Sequence, residues 1–258
     1  LPSFFLGVVF YYSYIRLGKL IFVMGIILIY IIKDFLFSRL QQINSFTQIV
    51  ESFLKVIDSK DHYTEGHCER VANYTYKLGK KLGLRQRKID RIVNMAKEHD
   101  IGKIYVDDNI LKKSDTLSEE EYEEMKTHSY YGYELLKDID LMKKDLEIIL
   151  YHHERYDGDG YPEGLKEEKI PLGARILNIC DAFDVMTTGR TYKPPLNKEE
   201  VIAELKNCAG EQFDPELTAA MLELIEEDKF AESFERDYKI NENIERVDSS
   251  LETVKVNE

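Results

Sequence analysis

Two of the six histidines in this 258-residue chain are neighbours, His152 and His153, in the stretch YHHERYDGDGYPEG. Three of the other four also fall where helix-forming segments and acids meet: His67 in TEGHCERV, His99 directly before Asp100 in EHDIGK, and His128 in MKTHSYYG. Asp181 and Asp184 follow in NICDAFDVM, and only His62 stands in a plain polar turn. Imidazoles and carboxylates spread over separate helices form a set that a helical bundle can point inward at one place. Imidazole nitrogen ligates iron, manganese, zinc and nickel, and a carboxylate can bridge two such ions. Five His with Asp exceed the four ligands that a single zinc takes, so two metals are the simpler account. Neighbouring residues on a helix point about 100° apart. His152 and His153 therefore reach a metal together only from a kinked or terminal turn, which the glycines of DGDG permit. Each residue alone has a plainer reading, a hydrogen-bonded histidine or a chance HD pair. The joint pattern carries the weight.

The remaining signals beyond Ser59 are helical. SEEE, Ser118 to Glu121, is a capping box that starts a helix through Tyr122, Met125 and Leu135. NKEE, Asn197 to Glu200, is a similar start, with Gly210 expected to stop that helix. In DPEL, Asp214 caps a helix whose first residue is Pro215. Alternating runs of strand length are missing, which predicts an all-α domain.

The first 32 residues differ from everything after them: their only charges are Arg16 and Lys19, flanked by LPSFFLGVVFYYSYI and LIFVMGIILIYII. A spanning helix needs about 20 apolar residues, so each run alone is slightly short. Either the second run with its flanks is the last span of a truncated membrane region, or one span crosses and the rest lies at the interface. A buried core helix fits less well, because apolar residues cover every face. A signal peptide lacks its basic start and small-residue cleavage site. The chain opens without Met, which reads as the start of a fragment. Lys33 and Arg39 follow the second run and favour the cytoplasmic side. The expected location is the cell membrane, with the remainder of the chain cytoplasmic. From Leu36 through Leu40, Ile43, Phe46, Val50 and Phe53 to Ile57 the apolar residues step by three or four. This is a seam for a dimeric signalling helix or for packing on the chain's own domain. Cys68, Cys180 and Cys208 form no CxxC, which fits a reduced compartment and small core residues. The net charge of −13 argues against a grip on DNA or RNA. An anionic substrate would need a local source of positive charge.

The segment from Ser52 to Ile225 resembles the HD-GYP domain, a branch of the HD phosphohydrolase superfamily. The matching motifs are HDIGK (His99 to Lys103), HHERYDGDGYP (His152 to Pro162), IPLGARILNICDAFDVMTTGRTYK (Ile170 to Lys193) and GEQFDP (Gly210 to Pro215). The resemblance implies an HD-type helical bundle over 52–227. A membrane segment over 1–33 and a linker helix over 34–58 precede it, and a polar acidic tail over 228–258 follows. It implies divalent metals, iron or manganese, and hydrolysis of cyclic di-GMP to linear pGpG or on to GMP. Carried over by position, His67, His99, Asp100 and Asp181 surround one metal, and Asp100 bridges to a second held by His128, His152 and His153. Lys103 touches the phosphate, and Arg190 and Lys193 receive the dinucleotide. Gly160, Tyr161 and Pro162 shape the rim, and Asp184 supports a ligand instead of being one. Members with three metals carry Glu where this chain has Tyr63, and Glu65 is out of phase to replace it, so two metals are expected. Glu98 occupies a place expected to be apolar or aromatic.

Such a site would deprotonate a bridging water near neutral pH, and the hydroxide would attack phosphorus in line with the departing 3′ oxygen. Lys103 and the metals would offset charge on the phosphoryl oxygens. Arg155 is expected to pair with Glu154 or Asp157. Three other readings remain: a phosphohydrolase for another cyclic dinucleotide or nucleotide, a di-iron oxygenase, and a silent receptor signalling through the Leu36 to Ile57 seam.

Overall fold

The computed structural model describes residues 2–60, 66–113, 115–139, 142–189, 194–230 and 233. Among them every regular element is helical, and one isolated bridge pairs Ala209 with Phe213. The chain divides into two compact units, Leu1–Ser52 and Phe53–Glu258. The predicted tail beyond Phe230, apart from Ser233, lies outside the described residues.

The first unit is built on helix α1 (Pro2–Lys60). Within it, Gly7–Gln42 is a 36-residue stretch whose most apolar 18-residue window has a mean hydropathy of 2.4 and is not buried. Neither proline nor a turn motif separates the two apolar runs, and they form one continuous helix through Arg16 and Lys19. At about 1.5 Å per residue this stretch exceeds the hydrocarbon thickness of a bilayer, about 30 Å, so it is long and apolar enough to cross a membrane. Leu36, Leu40 and Phe53 of the seam are exposed. The side chains of Ile43, Phe46, Val50 and Ile57 lie outside the described ones.

The second unit is organised around one helix, α7 (Leu172–Thr188), which packs against α2 (His67–Lys81), α3 (Gln86–Glu98), α6 (Glu147–Leu150), α8 (Lys198–Asn207) and α9 (Pro215–Glu226). Ala174, Ile176, Leu177, Ile179, Cys180 and Phe183 of α7 are fully buried. Apolar residues around the whole circumference mark a helix enclosed by its neighbours. At its start Gly173 lets Ile148 approach, since a Cβ there would lie 2.4 Å from the Ile148 Cδ1. Tyr74 packs edge-on against Phe183 and Phe230, which tilt against each other, with centroids 5.0 to 5.3 Å apart, so the core extends to Phe230, past the expected boundary at 227.

Local signals fix the helix starts. Ser118 and Glu121 form the reciprocal capping box of α5 (Glu119–Leu136), against which the short helix α4 (Asp108–Leu111) packs. Asn197 and Glu200 form the capping box of α8. Asp214 accepts from the N–H groups of Glu216 and Leu217 at the start of α9 and forms an ion pair with Arg175 of α7. One expected end is corrected: α8 stops at Asn207, three residues before Gly210. Gly210 instead takes a left-handed φ of 84° in the following turn, where its N–H donates to Phe213 O at 2.8 Å.

The contact that matters most for the site joins α5 to the 3-10 turn Ile101–Tyr105. A Cβ on Gly102 would lie 1.9 Å from the His128 carbonyl oxygen and 2.5 Å from the Gly132 nitrogen, so backbone meets backbone. Both obstacles are main-chain atoms of one helix and cannot rotate away. Gly102→Ala is expected to destabilise the domain by about 3 kcal/mol, at the upper end of overpacking costs. The check is a lowered urea midpoint at unchanged slope.

Candidate metal centre

Each histidine of the set sits where a helix begins or ends, or on α5 facing the Gly102 contact. His67 is the first residue of α2, after Gly66 with a left-handed φ of 70°. His99 ends α3, and Asp100 follows at φ −90°, ψ 1° as the chain turns into the 3-10 segment. His152 and His153 lie in the turn after α6, whose last residue is Leu150. The doublet is therefore terminal, as its geometry requires. Asp181 lies on α7.

Hydrogen bonds at the far side of each ring aim the near side inward. The Nδ1 atoms of His99, His128 and His152 lie 2.8, 2.7 and 2.6 Å from the carbonyl oxygens of Ala96, Met125 and Ile149, each three residues earlier. A carbonyl only accepts, so Nδ1 carries the proton in each ring and Nε2 presents a lone pair. The Nδ1 of His67 lies 2.7 Å from Asp184 Oδ2. Asp184 in turn accepts from Arg70 Nε at 2.7 Å and Nη2 at 2.9 Å. This is the supporting role that the sequence suggested for Asp184, and orientation of this kind raises ligand basicity.

The inward atoms form two groups. His67 Nε2 lies 3.2 Å from Asp181 Oδ1, and His99 Nε2 lies 4.0 Å from the same oxygen. His128 Nε2 lies 3.4 Å from His152 Nε2 and 3.1 Å from His153 Nε2. Asp100 stands between the groups: Oδ2 is 3.6 Å from His99 Nε2 and 4.0 Å from His67 Nε2, while Oδ1 is 3.7 Å from His128 Nε2. The triplets His67, His99, Asp181 and His128, His152, His153 could each hold a metal ion, as could His99, Asp100 and His152.

The donor set fits cations. With Nδ1 protonated, the Nε2 atoms of His128 and His152 are both acceptors, and two lone pairs at 3.4 Å repel unless something positive lies between them. Protonation is not the favoured source of that charge. Burial first, then neighbouring imidazoles, push His152 down to about 3, and burial also lowers His128 and His153. For His67 burial opposes charge, but Asp181 and Asp184 outweigh it and carry the ring up to about 10. Burial would raise Asp100 and Asp181, yet Lys103 and the histidines hold Asp100 well below the usual range, and His67 does the same for Asp181. Neutral His128, His152 and His153 beside ionised carboxylates are in the form that binds metals, whereas His67, charged between its two aspartates, would give up a proton on binding.

Around this centre, Lys103 Nζ donates to Asp100 Oδ2 at 2.8 Å. The Tyr161 ring stacks on His153 with centroids 4.9 Å apart at 30°, placing the Gly160-Tyr161-Pro162 segment at the edge of the second group. Arg155 pairs with Asp157 and not with Glu154. Arg190 and Lys193 lie outside the described residues, as do His62, Tyr63 and Glu65. Glu98 is buried with Oε2 lacking a hydrogen-bond partner, and burial pushes its carboxyl up to about 7; nothing around it explains an acid at that place. Sequence reasoning missed Arg70 and Asn178. Arg70 lies one turn after His67 on α2, a spacing that could have suggested a helper. Asn178 donates from α7 to the carbonyl oxygens of His152 at 2.9 Å and Glu154 at 3.2 Å, a contact that no local pattern announces.

The HD domain family model matches residues 35–217. A cyclic di-GMP phosphodiesterase of Thermotoga maritima is 36% identical over 197 residues, 76% of this chain and 51% of that protein. A 3'3'-cGAMP-specific phosphodiesterase of Vibrio cholerae is 35% identical over 178 residues, 68% of this chain and 34% of that protein. The chain thus spans about half or less of the length of these curated relatives. The crystal structure of a cyclic GMP-AMP-specific phosphodiesterase of Vibrio cholerae superposes with a TM-score of 0.53 at 21% identity, covering 70% of this chain and 50% of that one, which shows a shared fold. The family match runs through every segment that contributes a histidine or aspartate to the cluster, and on that ground the chain belongs to the HD domain family, with strong homology to HD-GYP cyclic di-GMP phosphodiesterases.

Proposed function

We propose that the chain is a metal-dependent phosphodiesterase that hydrolyses cyclic di-GMP to the linear dinucleotide or on to GMP. His67, His99 and Asp181 would hold one ion and His128, His152 and His153 a second, with Asp100 between the two groups. The observation that carries this reading is the two-sided placement of the Asp100 carboxylate, with Oδ2 toward His99 and Oδ1 toward His128. A paired site of divalent ions, iron or manganese by resemblance, supplies Lewis-acid activation of water and of the phosphoryl group when bound. The chain's own residues supply orientation and charge. Arg70 and Asp184 hold the His67 ring in place, and the carbonyls of Ala96, Met125 and Ile149 keep the other Nε2 atoms directed inward. Lys103 offers an ammonium at the Asp100 side, where it offsets charge building on the phosphoryl oxygens. Tyr161 offers an aromatic face at the rim, and Arg190 and Lys193 receive the dinucleotide.

In the same reading α1 anchors the chain in the cell membrane, Lys33 and Arg39 set the second unit on the cytoplasmic side, and the Leu36 to Ile57 seam pairs two copies. A second substrate reading, 3'3'-cGAMP, is favoured by the relatives named for that activity. A nucleotide panel decides between them. Protein purified anaerobically and loaded with Mn(II) or Fe(II) is expected to cleave cyclic di-GMP faster than 3'3'-cGAMP or cyclic di-AMP. Faster cleavage of 3'3'-cGAMP would transfer the assignment to it. Binding without cleavage would make the chain a receptor, and oxygen uptake without ester cleavage would make it an oxygenase. Asp184→Asn, which leaves every proposed ligand in place, is expected to lower metal affinity or activity about 10- to 100-fold.

Metal binding should also register in stability. A metal at about 100 times its Kd stabilises by about 2.7 kcal/mol. For a domain of this size that is a Tm rise of about 5 to 10 °C. Chelator-stripped protein should show this rise on addition of Mn(II), and Asp100→Asn should show less than half of it. An equal rise in the variant would remove Asp100 from the metal site.

A further inference from the structure

The signature segment is tied down by a residue to which the reading above gives no part. Glu154, the residue after the histidine doublet, is 1% exposed. Its Oε1 accepts from the backbone N–H of Glu163 at 2.8 Å, and its Oε2 accepts from that of Leu165 at 3.0 Å. One carboxylate thus closes a loop of about ten residues onto the turn that carries His152 and His153. Inside the closed loop, Tyr161 N–H donates to His153 O at 3.3 Å and its ring lies on the His153 imidazole. Gly160 passes so near the turn that a Cβ would lie 2.2 Å from Arg155 N and 2.6 Å from Glu154 Cα. From beneath, Asn178 Nδ2 grips the His152 and Glu154 carbonyls, which fixes the backbone from which the Glu154 side chain reaches. The start of the loop is set independently: Tyr156 and Asp157 N–H donate to Gln212 and Glu211 carbonyls at 3.2 and 2.7 Å, in the GEQFDP motif.

We propose that Glu154 is the positioning residue for Tyr161, and that through it the chain sets its affinity for a cyclic dinucleotide without touching the metal ions. This rests on the phosphodiesterase reading. The chemistry requires a carboxylate of this length. Both oxygens accept, so each of two diverging N–H groups is met. Glutamine offers one acceptor and turns an NH2 toward the second N–H, and aspartate is one methylene too short to span both. Loss of one charge-assisted bond frees the loop carrying Tyr161, while the Nδ1 bonds of His128 and His152 to their own carbonyls remain.

The test compares two substrates in metal-loaded full-length protein. Bis(p-nitrophenyl) phosphate is a small diester that reaches the metals without needing the rim. Glu154→Gln is expected to raise KM for the dinucleotide about tenfold, the scale of one charge-assisted hydrogen bond, with kcat held. Metal content and turnover of the small diester should stay at the wild-type level. Combined with Tyr161→Ala, it should add little, because both changes remove the same element. Loss of metal, an equal loss on both substrates, or a fully additive double variant would reduce Glu154 to a structural support and overturn the proposal. An unchanged KM would overturn it as well. Wild-type protein that cleaves bis(p-nitrophenyl) phosphate but no cyclic dinucleotide would sink the substrate reading first and this inference with it, whereas with a wild type active on both, any failure of the variant's pattern belongs to Glu154 alone.

Discussion

The constraint on which the rest depends is the repulsion between inward-facing lone pairs. Five imidazoles and two carboxylates crowd one largely buried space, with the lone-pair-bearing Nε2 atoms of His128 and His152 3.4 Å apart. Such a set persists only if positive charge is shared among its members, since unpaired buried polar atoms are costly. Arg70 and Lys103 each provide some of it from the edge, through Asp184 and Asp100. The two histidine groups and the Asp100 carboxylate between them are an arrangement that could hold metal ions. The backbone carbonyls behind His99, His128 and His152 hold these three N–H groups outward, so they cannot turn inward to relieve the repulsion.

Helical geometry makes such a cluster possible and decides which residues form it. A histidine at a helix end has a free carbonyl three residues back, because the last turn leaves its carbonyls unpaired. His99 and His152 use such carbonyls, and each ring thereby completes the end of a helix while it faces the site. Candidate ligand and helix terminus are then one feature. The Gly102 contact completes the geometry, since a larger residue would separate α5 from the turn and carry His128 away from Asp100.

Much of this is legible in the amino-acid sequence. Both capping boxes and the Asp214 cap can be read because each is a local exchange of hydrogen bonds within four residues. That His152 and His153 need a kinked or terminal turn to face one metal follows from helical periodicity, and the structure has the terminal one. The end of α8 is not legible in the same way, because a glycine signals a turn without saying how many residues before it the helix has already closed. The seven clustered residues are legible by type and by resemblance, and so is the supporting place of Asp184, but the other supports are not. Asn178 holds carbonyls 26 and 24 positions away, and Glu154 works through backbone groups nine and eleven residues on. Nothing in a sequence window distinguishes Glu154 from the chain's other 47 acids.

The acidic composition and an anionic substrate are compatible once the acids are sorted by location. A net charge of −13 describes a surface rich in glutamate, as in the first turn of α5 with Glu119, Glu120 and Glu121. Those charges are solvated and screened within about 10 Å at moderate ionic strength. The acids at the centre are matched by neighbours: Asp184 by Arg70 and His67, Asp100 by Lys103, Asp214 by Arg175. Two divalent ions would then turn the centre from balanced to positive, within a shell that repels anions at long range. Approach of a dinucleotide should accordingly be slower at low salt than at high salt, the reverse of a basic nucleic-acid binder, while the bound state is held by short-range contacts that salt scarcely reaches.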